Sequence, residues 1–194
     1  FAQNVSHCLT TVIHKAKPPK VVEKGFFLVR TWSRILFEYL SDWNSIRETA
    51  KCFPSDFIRG LADAEGSAAA SVYRRSSSRS DRLCFYIAIV NTNKQLLEYV
   101  AYLLNTRLEI RSQISLERKR VKMWSKLPCY HLTIGRREDQ RRFASEIGFG
   151  IHRKEEKMLD ALGLLDLFGP KQAAAEWRRI YEKHGRNWLK RTAV

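Results

Sequence analysis

Residues 82–91, RLCFYIAIVN, alternate so that Leu83, Phe85, Ile87 and Ile89 share one face and Arg82, Cys84, Tyr86 and Ala88 the other. A period of two predicts a half-buried strand. The preceding SAAASVYRR (67–75) alternates too, and the polar SSSRSD (76–81) between them predicts a hairpin. Ahead of it, PSDFIRGLADAEG (54–66) reads as a helix. Pro54 and Ser55 are start signals, Ser55 or Asp56 caps the first turn, and Gly66 ends it. NKQLLEYVAYLLNT (93–106) is an apolar-periodic helix capped by Asn93. RLEIRSQISLERKR (107–120) alternates again, with Ile110, Ile114 and Leu116 on one side. CYHLTIG (129–135) predicts a further strand, and helices are expected over 137–147, 153–165 and 171–190. The order α-β-β-α-β-β-α places the chain in the α+β class, with a four-stranded antiparallel sheet and helices on one face.

The same patterns suggest an incomplete copy near the N-terminus. GFFLVRTWSRILFEYLSDW (25–43) reads as strand then helix, as does PCYHLTIGRREDQRRFASEIGF (128–149), and AQNVSHCLTTVIHKA (2–16) follows the helix-to-strand pattern of 97–112. Residues 1–50 are therefore expected to be the back half of an earlier repeat or a degenerate extension. Residues 51–167 form the repeat with its acidic helix at 55–66, and 168–194 a basic helical extension.

Composition adds partner and compartment. Lysines and arginines number 35 against 20 acids, a formal net charge of +15. Such an excess favours a polyanionic partner, because neutralising phosphates releases counterions. The chain lacks a run long enough to span a membrane, so no membrane partner is expected. Cys8, Cys52, Cys84 and Cys129 are scattered without a C-x-x-C pair. They read as free buried thiols in a reducing, intracellular setting (a prokaryotic cytoplasm or an organelle), and against a structural zinc.

The helix at 54–66 holds the candidate chemistry. Gly60 and Ala64 lie four apart, so a like helix can approach until the backbones nearly touch. Two such helices would bring their terminal acids together into a carboxylate cluster suited to divalent metal. Solvated acids before a glycine stop are the alternative. IRGLADAEG (58–66) resembles the LAGLIDADG motif of the homing endonucleases, matching at Gly60, Leu61, Asp63, Ala64 and Gly66. Arg59 replaces the first Ala, Ala62 the Ile, and Glu65 the second Asp. The element order over 54–165 matches that family as well, most closely its archaeal intron-encoded type.

The resemblance implies a saddle-shaped sheet and a site-specific double-strand DNA endonuclease with a long asymmetric or pseudo-palindromic target. It implies Mg²⁺-dependent phosphodiester hydrolysis leaving four-nucleotide 3′ overhangs, and two repeats, from a homodimer or from an upstream repeat of the same chain. An intron RNA maturase or a non-cutting DNA-binding regulator on the same fold are the alternatives. By position Glu65 is the metal carboxylate, with the Ala64 carbonyl beside it. Gly60, Asp63 and Ala64 belong to the helix–helix interface. Asn91 and Lys154 complete the catalytic set, with Arg153 a rival to Lys154 and Lys94 a more distant candidate. The polar face of the sheet would read the major groove. That face comprises Ser67, Ala69, Ser71, Tyr73 and Arg75; Arg82, Cys84, Tyr86 and Ala88; Arg111, Gln113, Ser115 and Lys119; and His131 and Thr133.

Overall fold

A computed structural model describes residues 21–23, 27–29, 33–74, 80–117, 128–185 and 187–191. The chain divides into two compact units, 1–53 and 54–194. In the first, strands β1 (Val21–Glu23) and β2 (Phe27–Val29) pair antiparallel. Helices α1 (Arg34–Ser41) and α2 (Trp43–Cys52) follow. Each has a side-chain cap: Ser33 Oγ accepts from Leu36 N at 3.2 Å, and Asp42 accepts from Asn44 N and Ser45 N at 3.1 and 3.2 Å. The strand and helix expected over 25–43 are thus present, and residues 2–16 lie outside the described residues.

The second unit holds α3 (Pro54–Glu65), β3 (Gly66–Arg74), β4 (Asp81–Asn91) and α4 (Lys94–Arg107). Strands β5 (Gln113–Leu116) and β6 (Tyr130–Ile134) follow, then α5 (Arg137–Glu146) and α6 (His152–Ile180). A last hairpin joins β7 (Tyr181–His184) to β8 (Asn187–Lys190). Strands β3 to β6 form one antiparallel sheet in the order β3-β4-β6-β5. The α+β expectation and the element order hold.

Alternation along the strands builds the core. Leu83, Phe85, Ile87 and Ile89 of β4 and Leu132 and Ile134 of β6 are buried, as are Leu97, Val100, Leu103 and Leu104 of α4. Gln140, buried, ties α5 to the sheet by donating its amide to the carbonyls of Phe85 and Gly135 at 2.9 Å.

Four expectations need correction. Helix α3 begins at Pro54 rather than at a Ser55 cap, since proline needs no amide partner in the first turn. The strand expected over 107–120 shrinks to 113–116 within the described residues, because the chain first turns after α4. Glu109 adopts φ +51, and the buried Ile110 donates its amide to Leu104 O at 2.8 Å. Cys52 is exposed, not buried.

The helix expected over 171–190 ends at Ile180, so the segment 168–194 is not a purely helical extension. Within α6 the axis breaks at Gly169 (φ +67), just before Pro170, whose ring and missing amide forbid a straight continuation. The hairpin beyond is held by aromatics. Tyr181 stacks on Trp177 with centroids 4.0 Å apart, and Trp188 meets Trp177 edge-on at 6.3 Å. Tyr181 Oη also donates to Asp160 at 2.8 Å, and Lys190 Nζ to Glu156 and Asp160 at 2.8 and 2.9 Å.

Candidate functional site

Helix α3 presents two different sides. Ile58, Ala62 and Asp63 are buried, whereas Asp56, Gly60, Ala64 and Glu65 are exposed. The spacing of four keeps Asp56, Gly60 and Ala64 in one open row. A Cβ added at Gly60 would meet nothing within 4 Å. At the end of the helix Gly66 enters β3 directly, and a Cβ there would lie 2.4 Å from Ala62 O. Glycine is required by close backbone approach at this junction.

The two acids have separate environments. Asp63 is 7% exposed and accepts from Gly150 N at 3.0 Å and Ile151 N at 3.2 Å. Its carboxylate anchors the loop that leads into α6, inside its own chain, while Glu65 stays exposed. Lys154, in the first turn of α6, donates Nζ to the carbonyls of Ala62 at 3.0 Å and Asp63 at 2.6 Å. These are among the last carbonyls of α3, which lack helical partners and carry the negative end of its dipole. Burial holds the Lys154 ammonium below the usual lysine range against the opposing pull of Asp63; Arg153 lowers it further and Glu65 raises it.

Lys154 therefore sits at the end of α3, and its first task is to cap that helix. Arg153 is exposed nearby. Asn91 ends β4, two residues beyond Ile89, the register partner of Gly66. Its Oδ1 accepts from Asn93 N at 2.8 Å, which leaves the amide NH₂ of the side chain. Lys94 instead pairs with Glu98 at 2.6 Å.

A cavity of about 390 Å³ opens beside this helix end. Its lining includes Ser67, Lys154, Lys157, Trp188 and Lys190. Lys157 is half-buried and forms no hydrogen bond or ion pair among the described residues; burial, then the Arg153 charge, holds its ammonium below the usual lysine range. Lys157 reaches the cavity from the turn of α6 after Lys154, whereas the hairpin follows the break at Gly169, which no local pattern in the sequence places here.

On the sheet, register aligns the polar face. One row runs Ser67, Ala88, Thr133, Gln113, and the next along β4 runs Val90, His131, Ser115. Ser67, Ser71, Tyr73, Tyr86, Gln113 and Ser115 are exposed, and Arg82, His131 and Thr133 half-buried. Two of the residues expected on this face differ from expectation. Ala88 keeps its place in the first row but is only 3% exposed. Arg111 precedes β5, and its guanidinium pairs with Asp139 at 3.3 Å and Glu138 at 3.6 Å. Arg75 and Lys119 lie outside the described residues.

Residues 53–148 match a family model described as a LAGLIDADG-like domain. The uncharacterized protein MJ0398 of Methanocaldococcus jannaschii is 31% identical over 147 residues, which cover 71% of this chain and 49% of that protein. The chain thus spans about half the length of this relative. Among solved structures, the archaeal intron-encoded homing endonuclease I-Vdi141I complexed with DNA is 18% identical, with a TM-score of 0.43 over 60% of this chain and 72% of that one. The homing endonuclease I-CvuI, in complex with the I-CreI target in the presence of Mg, is 10% identical, with a TM-score of 0.42 over 60% of this chain and 68% of that one.

Proposed function

Since the chain belongs to the LAGLIDADG family through residues 53–148, we propose that it is a site-specific endonuclease of double-stranded DNA. One observation carries this reading: the motif helix ends in an exposed Glu65 while its open row of Gly60 and Ala64 runs alongside. That is the surface a second motif helix needs, from another copy of this chain or from an upstream repeat. The net charge of +15 supports a phosphate-rich partner. The exposed side chains of β3, β4 and β5 supply donors and acceptors suited to base edges in the major groove.

The residues at the helix end fit a divalent cation. Glu65 offers a free-standing hard oxygen ligand, and the Ala64 carbonyl a second, whereas Asp63 is committed to two amides. A hard cation takes six or more oxygens, so one motif helix supplies only part of a shell and a paired acid is required. Bound there, Mg²⁺ supplies activation of water and stabilisation of the leaving oxygen. The chain's own part is positional. Lys154 fixes the end of α3, Asn91 offers its amide to a water, and Arg153, Lys157 and Lys190 line the approach of a phosphate. Cleavage of both strands, with four-nucleotide 3′ overhangs, belongs to this proposal.

The test is selection from a randomised duplex library followed by cleavage with Mg²⁺. Wild-type protein is expected to cut its selected site, and Glu65→Gln to bind within a few-fold and lose at least two orders of magnitude in cutting rate. Equal cutting by Glu65→Gln overturns the assignment of that acid. Selection without nicking indicates a regulator, and preferential binding of intron RNA without nicking a maturase.

A further inference from the structure

Strands β5 and β6 bring together three side chains that the sequence separates. Cys129 immediately precedes β6 and His131 lies within it, two residues apart, the spacing that returns extended chain to the same face. Across the ladder, Ser115 pairs with His131, and Glu117 N donates to Cys129 O at 2.8 Å. The antiparallel pairing therefore continues one step past β5 and sets Glu117 beside both. His131 Nε2 lies 3.1 Å from Glu117 Oε2, and one ligand atom from each of the three residues falls within 4.8 Å of the others. Cys129 is buried, and Glu117 and His131 are half-buried.

We propose that Glu117, Cys129 and His131 form a zinc site clasping β5 to β6. The donor set decides the metal: a thiolate, an imidazole and a carboxylate suit Zn²⁺, while Mg²⁺ prefers oxygen alone. Zinc bond lengths near 2.0–2.3 Å require tetrahedral ligands roughly 3.5 Å apart. The His131–Glu117 separation already meets that, and side-chain rotation supplies the remainder. Binding releases the thiol proton of Cys129, and the thiolate and carboxylate together neutralise the ion. The loaded clasp is thus neutral, and loading it removes the single negative charge of Glu117 from a basic face. Three protein ligands leave a fourth position for water. The two clasped strand ends bound residues 118–127, which carry Arg118, Lys119, Arg120, Lys122 and Lys126. The site is independent of Glu65 and does not rest on nuclease activity.

The experiment uses tag-free full chain, metal-depleted and then loaded with Zn²⁺ or Co²⁺ alone. One equivalent of zinc per chain is expected to survive dialysis, unaffected by a large excess of Mg²⁺. Cobalt should give the visible bands of a tetrahedral ion with a thiolate-to-metal charge-transfer band. Cys129→Ser should abolish that band and weaken zinc binding at least tenfold. His131→Gln, at a half-exposed position expected to fold, should weaken zinc binding similarly. Cys84→Ser and Glu65→Gln should leave both readouts unchanged. No retained zinc, a cobalt spectrum without the thiolate band, or a band insensitive to Cys129→Ser overturns the proposal.

Discussion

Asp63 and Glu65 stand two residues apart with opposite duties. The buried carboxylate of Asp63 satisfies the amides of Gly150 and Ile151, some ninety residues on, and the loop is shaped to it: a Cβ at Gly150 would lie 2.6 Å from Asp63 Oδ2. Removing the acceptor leaves amide donors without a partner in a site largely closed to water. Asp63→Ala is expected to cost about 1–3 kcal/mol, read as a lower denaturant midpoint with unchanged slope. Gly150→Ala should show a similar loss through steric displacement of the same carboxylate. The order Asp-x-Glu at a helix end was visible in the sequence, and the family resemblance set Glu65 apart from Asp63 as the metal carboxylate. The partners of Asp63 were not, because nothing local links it to residue 150.

At the scale of elements, α3 is an amphipathic helix whose second face is small rather than polar. Gly60→Leu enters open space in the folded chain, and leucine is a better helix former than glycine, so the thermal midpoint should be unchanged or rise. The same substitution should block the approach of a second motif helix. If the proposed pairing is right, DNA cutting is lost while the fold persists, as circular dichroism and cleavage assays on one preparation would reveal. The elements that escaped the sequence reading failed for identifiable reasons. YEKHGRNWLK, residues 181–190, is rich in residues compatible with a helix, yet Gly185 at φ +58 closes a tight turn and Trp188 folds back on Trp177. Residues 107–112 alternate by chance of composition, whereas a positive φ at Glu109 breaks the strand. Tertiary packing overrides propensity where the local signal is this weak.

For the molecule as a whole, the excess of 15 positive charges predicts salt-sensitive association with DNA. If about six phosphates are neutralised, log affinity should fall against log salt with a slope of about −5. Lys157→Ala should flatten the slope by about one if that lysine meets a phosphate. A flat plot would sink the phosphate-led account of binding. What the sequence determined by itself is the α+β class, the motif helix, the strands β3, β4 and β6, and the buried face of the sheet. Each of these is written in a repeating period or a contiguous motif. Tertiary structure alone decided that Asp63 faces inward, that Lys154 caps the helix beside Glu65, and that a hairpin closes the cavity next to them. It also set Cys129 and His131 against Glu117. These are meetings of residues far apart along the chain, fixed by strand register and by how α6 breaks, and no local pattern encodes such distances.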